Sequence, residues 1–200
     1  MAYHVHTITS LEQLKECEIF QIDQYQWTEG DKPKAYGRMG LLQDYGLIIV
    51  MTALEKDPIC TYIMNDDPVY KDSCMEAFLN FSSDPSGKKY LNFEMNANGA
   101  LLSAYGTAKD RKFLINHTSR RAICEAKLEE VSWQVILKIP MELICELYQI
   151  KPLQQGDSFT CNFYKLCETP GFEHYASYAP IRSEKPNFHL PEFFEKAVIS

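Results

Sequence analysis

Hydrophobic positions along this chain recur mostly at every second residue, most cleanly in residues 65–98. Two strand-like runs stand there, residues 74–81 and 89–95, separated by Ser-Ser-Asp-Pro-Ser-Gly at 82–87. That spacer is turn chemistry: Pro fixes φ, Gly permits a positive φ, and Ser and Asp bond their own backbone. In the second run Leu91, Phe93 and Met95 point one way and Tyr90, Asn92, Glu94 and Asn96 the other. In the first, Met75, Ala77, Leu79 and Phe81 share a side, and Cys74, Glu76, Phe78 and Asn80 the opposite side. One face of the predicted hairpin is apolar and suits a core. The other shows acids, amides and rings, with Glu76 and Glu94 on the same side if the runs pair. That surface either grips a polyhydroxylated ligand or meets water.

The same period predicts strands through most of the chain. Residues 18–27 read as a first strand, after a short helix over residues 9–16 that Ser10 caps and Gln13 completes. Residues 35–43 and 47–54 form a predicted hairpin about Asp44-Tyr45-Gly46, and its second run, LIIVMTAL, is apolar enough to be covered on both faces. Further strands are expected at residues 59–64, 100–105, 113–116, 122–129, 132–139 and 158–167. Residues 141–148 form the best helix, about two turns, behind Pro140. The tail, residues 175–199, reads as a loop, a turn of helix and a closing strand. Many short strands, regular turn signals and few helices predict an all-β antiparallel sandwich of jelly-roll or immunoglobulin-like kind with one or two short helices. No repeat or low-complexity linker divides residues 1–200, so one domain is expected.

Composition narrows the function. A net charge of −7 argues against a nucleic-acid partner and mildly against an anionic membrane surface. The local basic spots, residues 109–112 and 120–121, read as solvated turns. No run approaches the roughly 20 apolar residues that span a bilayer, and the first residues lack the basic and apolar regions of a signal peptide. Seven cysteines without a CxxC pair, several in apolar runs, read as reduced buried thiols of a cytoplasmic protein.

No zinc spacing, nucleophile elbow, Walker loop or dinucleotide fingerprint occurs. Trp133, inside an alternating run, belongs to the core, and Trp27 is core or rim. Glu76 and Glu94 are either a general acid–base pair, as in glycosidases, or two glutamates on a solvated face. Phe188 and His189 line a site or pin the tail to the sheet. Asn65, Asp66, Asp67 and Asp72 offer hard oxygen ligands that suit calcium, or cap turn N–H groups.

The order of motifs resembles family nine carbohydrate-binding modules over roughly residues 20–200. Asp72-Ser73-Cys74-Met75-Glu76-Ala77-Phe78 is similar to an early strand of that family, and Phe93-Glu94-Met95-Asn96 to the strand paired with it. The run from Trp133 to Pro140 is similar to their late strand before a short helix. Cys161-Asn162-Phe163-Tyr164 is similar to the strand after that helix, and Asn187-Phe188-His189 to their closing loop. The nearest match is the single-domain, family-nine-like branch, within a superfamily that includes the sugar- or haem-binding DOMON domains. The resemblance implies non-catalytic binding of an oligosaccharide or polysaccharide, in the setting of carbohydrate catabolism. It places one ring at Tyr70, a carboxylate at Glu76, a usually basic position at Glu94, a polar residue at Tyr164, and a second ring at Phe188 beside Asn187. It also implies structural calcium, for which Asp66, Asp67 and Asp72 are the ligands at hand. Three readings follow: a saccharide-binding module, a glycoside hydrolase using Glu76 and Glu94, or a haem-binding domain.

Overall fold

The computed structural model describes residues 2–82 and 87–200. Ser83, Asp84, Pro85 and Ser86 of the expected turn lie outside the described residues. The strands lie in two layers. One runs β10 (Ile123–Leu128), β11 (Trp133–Pro140), β5 (Gly46–Leu54) and β4 (Lys34–Leu42), with β2 (Ile19–Ile22) also on β4. The other runs β14 (Glu195–Ile199), β12 (Ser158–Cys167), β6 (Cys74–Asn80), β7 (Tyr90–Asn96), β8 (Leu101–Gly106) and β9 (Arg111–Phe113). On its flank β13 (His174–Ser177) pairs with β12 and with β3 (Gln24–Tyr25).

The first strand joins the layers. The start of β1 (Tyr3–Ile8) runs parallel to β14 and its end parallel to β4. The expected purely antiparallel sandwich is corrected at this seam alone: the other pairings among described strands are antiparallel. A chain end can serve two partners because no hairpin ties its direction to either neighbour.

The alternation of the central hairpin is realised. Met75, Ala77, Leu79, Leu91, Phe93 and Met95 enter the main core, where they meet Ile49, Met51, Trp133, Val135 and Leu137 of the facing layer. In β5, Ile48 turns to a separate cluster with Ile8, Leu14 and Cys17, so the strand is covered on both faces as expected. The segment expected to be a helix at residues 9–16 is a 3-10 turn, Leu11–Glu16, without a Ser10 side-chain cap, and Gln13 instead binds the Thr9 N–H at 2.7 Å. Residues 59–64 carry no strand; their N–H groups turn to the Ser73 and Asp72 side chains instead of a neighbouring strand. The expected strand at residues 113–116 is the end of β9 and a 3-10 turn, Leu114–Asn116. The one α-helix among the described residues, α1, is Met141–Tyr148.

The outward face of β6 and β7 departs most from expectation. It is not solvated. A second apolar cluster covers it, built from Cys74, Phe78, Tyr90, Tyr164 and Leu166 of the sheet and Ile181, Phe188 and Phe194 of the tail. Burying a large side chain is worth about 1.5–3 kcal/mol, so these tail residues hold the closing segment down. Tyr164 Oη donates to the Phe188 carbonyl at 3.2 Å, and Trp27 Nε1 to that of Ser183 at 3.0 Å.

Candidate functional site

Where the tail crosses the sheet it leaves a cavity of about 320 Å³, bordered by Tyr70, Glu76, Glu94, Arg111, Glu168, Tyr175 and residues 186–189. Five of the six residues that the resemblance singled out for a ligand, Tyr70, Glu76, Glu94, Asn187 and Phe188, meet there. The sixth, Tyr164, is fully buried and lies under Phe188, the two rings stacked at 4.1 Å and 15°. It backs the ring and does not line the cavity. A second hollow of about 430 Å³ shares Tyr70, Glu94 and Arg111 and extends past Asn116.

The floor follows from strand register. Glu76 on β6 stands directly opposite Glu94 on β7. They are 3 % and 4 % exposed, which removes the reading of two solvated glutamates. Asn92, two residues along the same face, donates to Glu94 Oε1 at 2.6 Å. The Oε2 atoms of both glutamates and Oδ1 of Asn92 are buried without a hydrogen-bond partner. An unmet buried polar atom costs about 1–3 kcal/mol, so the two glutamates that border the cavity favour a donor that reaches these oxygens.

Arg111 supplies the basic group that the resemblance expects and Glu94 does not provide. The sequence placed it in a solvated basic turn; the structure brings it half-buried to the wall, on β9, opposite Gly106. Its Nη1 donates to Tyr90 Oη and its Nη2 to His189 Nε2, both at 3.0 Å. A guanidinium has no acceptor, so His189 Nε2 is unprotonated and Nδ1–H donates to Tyr90 Oη at 2.9 Å. Burial, with Arg111 beside it, lowers the His189 pKa to about 3. The ring is neutral, and it stacks on Phe78 at 5.1 Å and 13°. His189 thus both lines the site and pins the tail.

The floor carboxyls are hard to ionise. Burial raises Glu94 to about 7 despite Arg111 and Asn92, and burial with Glu94 alongside pushes Glu76 well above the carboxylate range. Two like charges on adjacent strands in a dry site favour a retained proton. Glu168 at the rim is exposed and also raised by burial, with Lys71 opposing the shift.

The carboxylates expected as metal ligands cap turn and strand N–H groups, each through one oxygen. Asp72, buried, accepts from the N–H groups of Thr61 and Tyr62 and from Asn96 Nδ2 through one oxygen. Asp67 accepts from Met64 N–H and Asp66 from Ser103 N–H. Among the described residues no three His, Cys, Asp or Glu side chains gather as metal ligands would.

A second polar cluster escaped the sequence reading. Lys165 on β12 is fully buried; its Nζ meets Glu55 at 3.2 Å, His174 Nε2 at 2.6 Å and the Leu166 carbonyl at 3.2 Å. Glu55 also accepts from Trp133 Nε1 at 2.8 Å and Ser73 Oγ at 2.9 Å. Burial lowers the Lys165 pKa; it raises that of Glu55, but Lys165 and the two donors more than offset this. Every donor of the ammonium is used, so the cluster clamps the layers together. Its signal was a lone charged side chain, Lys165, in a strand whose other residues are uncharged.

A family model described as Carbohydrate-binding family 9 matches residues 6–199. No curated protein matches the sequence. Among solved structures, a candidate carbohydrate-binding protein of Bacteroides uniformis superposes with a TM-score of 0.81 at 21% identity, covering 100% of this chain and 99% of its own. A carbohydrate-binding module of family 9 from Caldicellulosiruptor kristjanssonii, in complex with cellotriose, gives 0.73 at 12%, covering 100% and 93%. A family 9 module from the same organism in complex with glucose gives 0.71 at 13%, covering 100% and 96%. At these identities the likeness is one of fold.

Proposed function

The chain belongs to carbohydrate-binding family 9, and from that premise we propose a non-catalytic saccharide-binding module whose ligand enters the cavity bordered by Tyr70 and Phe188. One observation carries the reading: two buried glutamates, each with an oxygen that lacks a hydrogen-bond partner, border a cavity that has aromatic rings in its walls. A pyranose offers C–H faces that stack on rings and hydroxyls that donate to fixed acceptors. The volume lies at the low end of small-molecule sites, which suits one or two sugar rings and not a porphyrin. The ligands of the two Caldicellulosiruptor structures, cellotriose and glucose, point to glucose-type sugars as the first to try. A place in carbohydrate catabolism fits this ligand class, and seven free thiols suit a reducing, cytoplasmic setting.

Hydrolysis fits less well. A glycosidase flanks the scissile bond with its two carboxyls, whereas Glu76 and Glu94 rise side by side from one floor on adjacent strands.

Calorimetry with cellobiose tests the reading. Wild type is expected to bind with a Kd between micromolar and millimolar, ~4–8 kcal/mol, without releasing reducing ends. Tyr70→Ala, at a half-buried position, is expected to weaken binding by about tenfold or more, the loss of one stacking ring. Phe188→Ala should also weaken binding, but it empties a buried site against Tyr164 and costs about 3–5 kcal/mol of stability. Absence of binding to every gluco-configured disaccharide overturns the proposal, and steady release of reducing ends overturns its non-catalytic part.

A further inference from the structure

We infer that the cavity selects an amino sugar, a saccharide whose protonated amine seats against the paired carboxyls of Glu76 and Glu94. This inference rests on the cavity being the saccharide site and adds the charge of its ligand.

The geometry argues for a cation at one point. Glu76 and Glu94 are register partners on neighbouring strands, so their side chains rise together from the sheet. Each is buried, and each keeps one oxygen without a donor. The wall adds a third acid, Glu168. Against these three stands Arg111, whose Nη1 and Nη2 are turned to Tyr90 and His189. His189 brings no charge, because its Nε2 is occupied as an acceptor. Tyr70, Tyr90 and Tyr175 add aromatic rings and hydroxyls, and Lys71 faces Glu168 at the rim rather than the floor.

A hydroxyl brings one donor and no charge to such a floor. An ammonium brings three donors and a positive charge, and charge-assisted hydrogen bonds are shorter and roughly twice as strong as neutral ones. Without a cation, the pair answers its burial by keeping a proton, as the raised pKa of each carboxyl indicates. An amine takes that proton's place and adds donors for both orphaned oxygens. The neighbouring hollow, which shares Tyr70, Glu94 and Arg111, gives a second sugar ring room beyond the charged point.

Three β-1,4-linked disaccharides, of glucose, of glucosamine and of N-acetylglucosamine, test this by calorimetry on the full chain at about pH 7, where an amine is mostly protonated. The glucosamine disaccharide is expected to bind about tenfold tighter than the glucose one. Acetylation, which removes the charge and keeps the nitrogen, should erase the gain. In Glu94→Gln, which removes the charge and keeps the shape, the ratio of the two affinities should fall toward one. Glucose binding as tight as or tighter than glucosamine, or a gain that survives acetylation, overturns the inference and leaves the saccharide-binding proposal standing. Binding of none of the three overturns both.

Discussion

At the scale of single residues, two buried charged clusters divide the work. The Lys165 cluster is satisfied, and the Glu76–Glu94 pair is not. Lys165→Ala would leave Glu55, 14% exposed, without its cation and with only Trp133 Nε1 and Ser73 Oγ as donors; breaking one side of a buried pair costs about 3–5 kcal/mol. Urea titration is the check, and a loss under about 1 kcal/mol would mean that the pair is far more hydrated than its burial implies. The glutamates act in the opposite direction. Glu94 has a folded pKa of about 7 against 4.5 when exposed. A raised folded pKa gives stability that is fully present below the unfolded value and is lost as pH rises through the folded one. The protein is therefore expected to be more stable near pH 5 than near pH 8, by up to about 3 kcal/mol from this group. Glu94→Gln should flatten that slope and raise the Tm at pH 8. Equal slopes in thermal melts of variant and wild type would show that Glu94 ionises freely.

At the scale of elements, the site depends on two short pieces that carry little periodicity. One is β9, three residues that bring Arg111 to the wall. It is reached through Gly106, whose φ of +147° and approach to the Asp110 carbonyl, 2.2 Å from where a Cβ would stand, leave no room for a side chain. Gly106→Ala should displace β9, lower stability by about 1–3 kcal/mol, and weaken sugar binding through Arg111. Unchanged binding would show that Arg111 is not needed at the wall. The other is the tail from Ala179 to Phe194, irregular except for one 3-10 turn, which Asn162 ties down by two hydrogen bonds to Ala179, and Tyr164 and Trp27 by one each. These bonds and the aromatic cluster beneath them convert an exposed sheet face into a walled cavity.

At the scale of the whole molecule, two layers share one strand and one outer face is roofed by the chain end. The loop with Asp66, Asp67 and Asp72 is closed by backbone hydrogen bonds, so a chelator such as EDTA is expected to leave the Tm unchanged; a fall of several degrees would restore calcium to that loop. The alternation of apolar residues was enough to specify most strands, their inward faces and the helix at Met141–Tyr148, because a period of two or of 3.6 is written in consecutive residues. The opposition of Glu76 and Glu94 was legible too, since neighbouring hairpin strands need only a register. The aromatic positions Tyr70 and Phe188 came from a resemblance, not from a pattern. Burial of the polar face, the recruitment of Arg111 from an apparent basic turn and the retreat of Tyr164 beneath Phe188 were decided in three dimensions. Each depends on contact between segments distant in sequence, as between Tyr90 and His189, 99 residues apart, and local periodicity says nothing of which irregular segment folds back over which sheet.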